Sequence, residues 1–148
     1  MSSLPRLNFP AIRLRARERG GVTEVWCETR RAWLVLTPEE WVRRHLVSYL
    51  VTGCGAPLGR IVEEYAVPLN GQPQRADAVV VGADCRPLLV AECKAADVAI
   101  DRRVWEQAVR YNSVVGARYV VLTNGLTHYC YEQRDGAYRP LKVFPRLG

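Results

Sequence analysis

Glu92 and Lys94 stand in "LLVAECKA", residues 88–95, at the end of a run that otherwise reads as a buried strand. Burying an ion costs several kcal/mol unless a partner or a metal compensates. Successive strand side chains point to opposite faces, so Glu92 and Lys94 share one face and Cys93 takes the other. Asp77 belongs to the preceding strand, "RADAVVV". If the connecting turn "GADCR" is centred between Asp84 and Cys85, Asp77 falls directly opposite Glu92. Opposed side chains have Cβ atoms roughly 4.5–5.5 Å apart, where like charges repel. Lys94 relieves part of that repulsion, and a divalent cation relieves more. Magnesium takes one or two carboxylates and completes its shell with water and substrate phosphate. A plainer reading makes Asp77 a turn residue and Glu92–Lys94 a surface ion pair on an edge strand. The apolar residues before Glu92 and after Asp77 argue instead for a central hairpin with a metal corner.

The rest of the chain supplies elements to position that corner. The first 36 residues read as an antiparallel β meander: "IRLRAR" and "TEVWCET" alternate around Gly20-Gly21, and "AWLVL" follows Arg30-Arg31. Its arginines outnumber its glutamates, so this arm either touches nucleic acid or presents a solvated sheet face. A helix starts at Thr37, with Pro38 in its first turn and Glu40 completing a capping box; Leu36 and Trp41 can staple it, and Gly53 is its stop. Strands are expected from about Ile61 to Leu69, then through "RADAVVV" and "PLLVAECKA", with "NGQPQ" as the first turn. Asp101 caps a second helix with an apolar stripe of Val104, Trp105, Ala108, Val109 and Val115. "RYVVLTNG" is a strand buried on both faces, and a closing hairpin turns at Asp135-Gly136. No internal repeat or linker divides the chain, so residues 1–148 are expected to form one α/β domain.

Composition narrows the function classes. The chain has 148 residues, 49% of them hydrophobic, and a net charge of +6 that suits a polyanionic partner. No apolar run approaches the roughly 18 residues a membrane span needs, and "MSSLPRLNFP" lacks the pattern of a secretion signal, which points to the cytoplasm. The cysteines Cys27, Cys54, Cys85, Cys93 and Cys130 form no CxxC pair, against both a disulfide framework and a zinc site. Of 21 basic residues only Lys94 and Lys142 are lysine, so the one suspicious strand carries an exceptional, compact ammonium. No GxxxxGK[ST] loop is present, which excludes that kind of ATP site. His45 and His128 accompany no nucleophile or ligand spacing and read as structural or surface residues. Thr123 and Asn124 read as turn formers.

Taken together, "LTPEEWVRRHLVSYL", "RADAVVV...PLLVAECKA", "WEQAVRYNSVV" and "YVVLTNGLTHYCYE" resemble the N-terminal nuclease domain of type I restriction enzyme R subunits, in the PD-(D/E)xK superfamily. The similarity runs from about Leu36 to Tyr131 and leaves the meander outside. It implies a restriction-endonuclease-like α-β-β-β-α-β core, a central mixed sheet flanked by helices. It also implies that Asp77, Glu92 and the Cys93 carbonyl bind Mg²⁺ or Mn²⁺, and that Lys94 orients the attacking water and steadies phosphate charge. Glu40, with Glu39 second, is the candidate for an additional first-helix acid; Glu40 is also the capping-box residue. Gln107 and Tyr111 match a Gln-x-x-x-Tyr pattern on one face of the second helix. Gln107 joins the catalytic set, while Tyr111, Arg110 and Arg75 would contact nucleic acid. Ala76 replaces the proline of the superfamily's name. The implied activity is Mg²⁺-dependent phosphodiester hydrolysis in DNA, in restriction, defence or repair, completed by a homodimer or by a separate targeting or motor subunit. A catalytically silent binding module on the same fold is the alternative.

Overall fold

A computed structural model describes residues 4–148; residues 1–3, the start of the opening segment, lie outside the described residues. Three short strands, β1 (Ala16–Arg19), β2 (Val22–Cys27) and β3 (Ala32–Val35), form a separate antiparallel sheet. Then follow α1 (Pro38–Thr52), β4 (Ile61–Leu69), β5 (Gln72–Val81), β6 (Pro87–Cys93), α2 (Arg102–Val115) and β7 (Tyr119–Thr123), with β8 (His128–Arg134) and β9 (Ala137–Leu141) as the closing hairpin.

The six strands β4 to β9 lie side by side in chain order. All neighbours are antiparallel except β6 and β7, because α2 carries the chain back between them and parallel strands need such a crossover. Tight turns set the hairpins. Asn70-Gly71 and Asp135-Gly136 each place two successive residues at positive φ, the backbone that matches the twist of paired strands.

Alternation along these strands divides the core in two. Val80, Leu89, Ala91 and Val121 face α1 and pack with its Val42, Leu46 and Leu50. Val79, Val90, Val120 and Leu122 face α2 and pack with Val104, Ala108 and Tyr111. The sheet is thus covered on both sides, which explains the uninterrupted apolar runs of β6 and β7.

The meander begins later than its alternation suggests. Residues 12–15, expected in the first strand, belong instead to an extended segment that crosses the body before β1. The Trp41 indole N–H donates to the Pro5 carbonyl at 2.8 Å, the Asn8 amide to the Gly125 carbonyl at 2.7 Å, and Leu7 is buried in the α1-side core. These contacts anchor residues 5–8, and the chain joins the meander's pairing at Arg15, whose carbonyl accepts the Trp26 amide at 2.8 Å just before β1.

The meander is fastened to the core by charge. Glu63 on β4, with a fully buried side chain, pairs with Arg44 of α1 and accepts hydrogen bonds from Thr29 (2.5 Å) and from the Cys27 thiol (3.3 Å). Arg44 also donates to Glu40 at 2.8 Å and to the Cys27 sulfur at 3.1 Å. Arg44→Met should leave the buried Glu63 with only the more distant Arg43, 3.6 Å away, as a charge partner, at a cost of about 3–5 kcal/mol. Urea unfolding followed by circular dichroism measures this; a loss below about 1 kcal/mol would show that the network is not holding the sheets together.

Candidate functional site

The chemistry-bearing corner forms where β5 enters the sheet and β6 leaves it. The β5–β6 ladder pairs Ala78 with Ala91, Val79 with Val90 and Val80 with Leu89, which sets Asp77 across from Glu92 as the next pair. The turn is centred on Asp84 and not between Asp84 and Cys85, with the Gly82 amide donating to the Arg86 carbonyl and Val81 opposite Pro87. The shift between Val80 and Val81 supplies the offset that brings Asp77 opposite Glu92. The Cys93 amide donates to Asp77 Oδ2 at 2.7 Å and fixes that carboxylate.

Glu92 is only 6% exposed, and its Oε1 has no hydrogen-bond partner. Burial, followed by the charge of Asp77, pushes the Glu92 carboxyl up to about 9. Burial raises Asp77 too, while hydrogen bonds from Cys93 and Glu92 and the charge of Arg43 pull it back. The two carboxyls therefore titrate as a pair, sharing at neutral pH one proton that Glu92 donates to Asp77. Lys94, half-buried just past β6, offsets negative charge at both Glu92 and Glu39. Its amide donates to the Thr123 carbonyl at 2.9 Å.

The two acids at the start of α1 have different surroundings. Thr37 caps the helix by accepting the Glu40 amide at 3.0 Å, but the Glu40 carboxylate turns to Arg43 (2.5 Å) and Arg44 (2.8 Å). Burial opposes ionisation of Glu40, yet these arginines hold its carboxyl below the ordinary range. The expected reciprocal capping box thus gives way to a buried ion cluster. Glu39 is the helix acid that senses the corner: burial and then Asp77 raise its carboxyl, and Lys94 lowers it.

Two further residues escaped the sequence reading. The β4–β5 ladder runs from Glu63↔Ala78 to Tyr65↔Ala76 and skips Glu64, whose φ of 54° interrupts the strand opposite Asp77. Arg43 bonds the Glu64 carboxylate and stands 3.7 Å from Asp77 Oδ1. The turn at Asn70-Gly71 carried the signal for Glu64, since its register places that residue across from Asp77. Arg43 was signalled by lying one helical turn beyond Glu39.

On the α2 side, Gln107 Nε2 donates to the Tyr111 hydroxyl at 2.9 Å, and that hydroxyl donates to Gln74 Oε1 at 3.1 Å. Burial and then the charge of Glu92 raise the Tyr111 phenol, so this chain flanks the carboxylate pair. Arg110 and Arg75 are exposed beside it, on α2 and β5. Thr123 and Asn124 act as turn residues: Thr123 Oγ1 accepts the Gly125 amide, and Asn124 Oδ1 accepts the amides of Leu126 and Thr127. The histidines brace the α1 side, His45 against the Trp41 carbonyl and His128 between Thr123 and the Asn8 carbonyl. A cavity of about 540 Å³ lies there too, walled by Phe9, Tyr49, His128 and Phe144 and lined by no carboxylate.

Among the described residues, no three His, Cys, Asp or Glu side chains are arranged to hold a metal ion unaided. The corner offers two carboxylates, one with a free buried oxygen, and a donor set completed by water or phosphate is what magnesium accepts. Formally, Glu39, Glu40, Glu63, Glu64, Asp77 and Glu92 face Arg43, Arg44 and Lys94. Even with Glu92 protonated, negative charge remains in excess.

The family model for the type I restriction enzyme R protein N terminus matches residues 38–145. The chain belongs to this family. Its match covers α1 through β9 and, like the resemblance read from the sequence, omits the meander. Among solved structures, the R-protein N-terminal fold is similar to a fragment of a putative HsdR subunit of a type I restriction enzyme from Vibrio vulnificus YJ016, with a TM-score of 0.57 and 22% identity. That match covers 76% of this chain and 24% of the other, so the chain spans about a quarter of its neighbour. No curated protein matches the chain. Among the described residues, no helix is long and apolar enough to cross a membrane.

The carboxylate pair makes stability depend on pH. Glu92 binds its proton more tightly folded than unfolded, so the stability it contributes is fully present below about pH 4.5 and is lost as pH rises through about 9. Urea unfolding in EDTA should show stability falling across that window, with a shallower fall in Glu92→Gln. Equal slopes in the two proteins would mean that Glu92 does not hold the proton.

Proposed function

We propose that this chain is a Mg²⁺-dependent nuclease domain that hydrolyses phosphodiester bonds in DNA. The observation that carries the reading is the buried, unpartnered Oε1 of Glu92 beside Asp77. A buried polar atom without a partner is costly, and here it lies where a cation would satisfy it. The element order α1-β4-β5-β6-α2-β7 supports a restriction-endonuclease-like core, and the family match supports a nuclease-related role.

Asp77 and Glu92 would hold the cation, with the carbonyl of Cys93, the residue after Glu92, as a third ligand. Bound there, Mg²⁺ or Mn²⁺ supplies charge to the phosphate and acidifies a bound water. Glu92 must first release its proton. Cys93, through its amide, keeps Asp77 aimed as that happens. Lys94 sits where its ammonium can orient the attacking water and steady the phosphate oxygens. Glu39, rather than the arginine-bound Glu40, is the helix acid able to take part, because it shares the electrostatic field of Asp77 and Lys94. The chain Gln107–Tyr111–Gln74 forms a polar wall at which Arg110 and Arg75 can meet the phosphate backbone. The structural neighbour is a fragment of a putative subunit of a type I restriction enzyme, and a larger restriction assembly is the proposed setting for this chain too; targeting and motor subunits would complete it.

One observation favours a second reading. Arg43 already brings a guanidinium to Asp77 and Glu64, as it would in a silent module whose acids are permanently neutralised. The two readings differ in their response to Lys94→Ala and Asp77→Asn. For the enzyme, both variants should fold normally and lose roughly 10²–10³-fold or more in Mg²⁺-dependent cleavage of labelled DNA. Manganese binding measured by calorimetry should strengthen with pH in the wild type and weaken in Asp77→Asn. Undiminished cleavage in both variants would remove the assignment. Absence of wild-type cleavage and metal binding, with DNA binding kept in EDTA, would establish the silent module.

A further inference from the structure

The outer face of the meander lies outside the family match and is not used by the carboxylate corner. Its inner face buries Val25 and Cys27 completely. Its outer face pairs Trp26 with Trp33 across β2 and β3, their rings edge to face with centroids 5.5 Å apart and neither ring buried. The Arg15 guanidinium lies 5.5 Å and 5.3 Å from the Trp26 and Trp33 centroids, and that of Arg17 lies 4.2 Å from Trp33. Val22 and Val35 extend the same face, 44% and 51% exposed.

We propose that this face is a stacking platform for an unpaired segment of nucleic acid. The partner's identity as nucleic acid rests on the nuclease reading; the mode of binding is the new element. Indole faces accept unstacked bases with little regard to sequence, and neighbouring arginines track the phosphates. Both parts are in place here. The Arg15 guanidinium, which stacks on both rings in the free protein, can swing to phosphate as bases replace it, while Arg17 is held over Trp33 by its ion pair with Glu24 at 2.8 Å. Arg13, Arg19, Arg30 and Arg31 are exposed around the platform, giving it the charge a polyanion needs. A duplex keeps its bases stacked on one another and offers these rings nothing comparable.

The test is fluorescence anisotropy of a labelled oligothymidylate of about 15 nucleotides, within the range one binding module covers, in EDTA so that cleavage plays no part. Wild type should bind it more tightly than a duplex of equal length. Trp26→Ala/Trp33→Ala should weaken binding about tenfold or more. Arg15→Gln/Arg17→Gln should weaken it too and flatten its salt dependence. Arg15 is exposed whereas Arg17 is half-buried and paired with Glu24, so Arg15→Gln alone spares the fold and decides the matter if the tryptophan variant unfolds. Unchanged affinity in a folded variant, equal or tighter duplex binding, or no oligonucleotide binding at all would overturn the platform. Asp77→Asn and Lys94→Ala should leave this binding intact while cleavage is lost. Failure of the platform therefore shows in EDTA binding, and failure of the nuclease reading in cleavage.

Discussion

Two carboxyls side by side in a protein interior cannot both carry full charge without help, and the Asp77–Glu92 pair imposes that constraint on everything around it. The pair exists because β5 and β6 form a central hairpin in one register, with Ala78 opposite Ala91. The protein answers in layers: a proton on Glu92, an amide from Cys93 on Asp77, Lys94 beside both, and Arg43 reaching in from α1. None of these saturates the site. Glu92 keeps a free oxygen, and the surrounding acids outnumber the cations. A corner built only for stability would be better served by apolar residues of similar volume.

The same electrostatic problem ties distant parts of the chain together. Arg43 and Arg44 are neighbours in α1 that share Glu63, but only Arg43 reaches on to Glu64 and Asp77. Glu40 accepts from both and keeps their guanidinium groups in place. Through Cys27 and Thr29 the meander joins this cluster, so the small sheet and the large one meet at buried charge as well as apolar surface. Any shift of α1 would move Arg43 relative to Asp77. The precision of the carboxylate corner thus depends on a helix end and an outlying sheet with no ligand of their own.

How much of this was legible follows from how local each cause is. The Asp77–Glu92 pairing was expected from a turn centred between Asp84 and Cys85, whereas the turn is centred on Asp84 and an unforeseen bulge at Val80/Val81 restores the pairing. The other hairpins were readable because Asn70-Gly71 and Asp135-Gly136 demand tight turns. The caps at Thr37 and Asp101 were readable for the same reason. Glu40 was not, because its cap signature is local whereas the pull of two buried arginines is tertiary. Arg43 and Glu64 were hidden by long-range pairing and by a positive φ that no sequence rule assigns to glutamate in a strand. Residues 12–15 alternate like a strand, yet β1 begins only at Ala16, with the Arg15 carbonyl already accepting the Trp26 amide, and the chain before them is anchored at Pro5 to α1 and at Asn8 to the Gly125 turn.

The choice of lysine at position 94 gains a physical reason from this geometry. The chain uses arginine almost everywhere else, including both cations of the buried α1 cluster. A guanidinium presents a flat fork that takes both oxygens of a carboxylate at once. Arg43 and Arg44 show the consequence, since both Glu40 oxygens are occupied. At position 94 such a fork would close on Glu92 or Glu39 and consume the oxygen the corner leaves open. An ammonium is compact and acts as a point charge, so Lys94 can offset Glu92 and Glu39 together without capping either. It supplies charge while leaving a carboxylate oxygen free, and that combination distinguishes this corner from the structural ion cluster a few residues away.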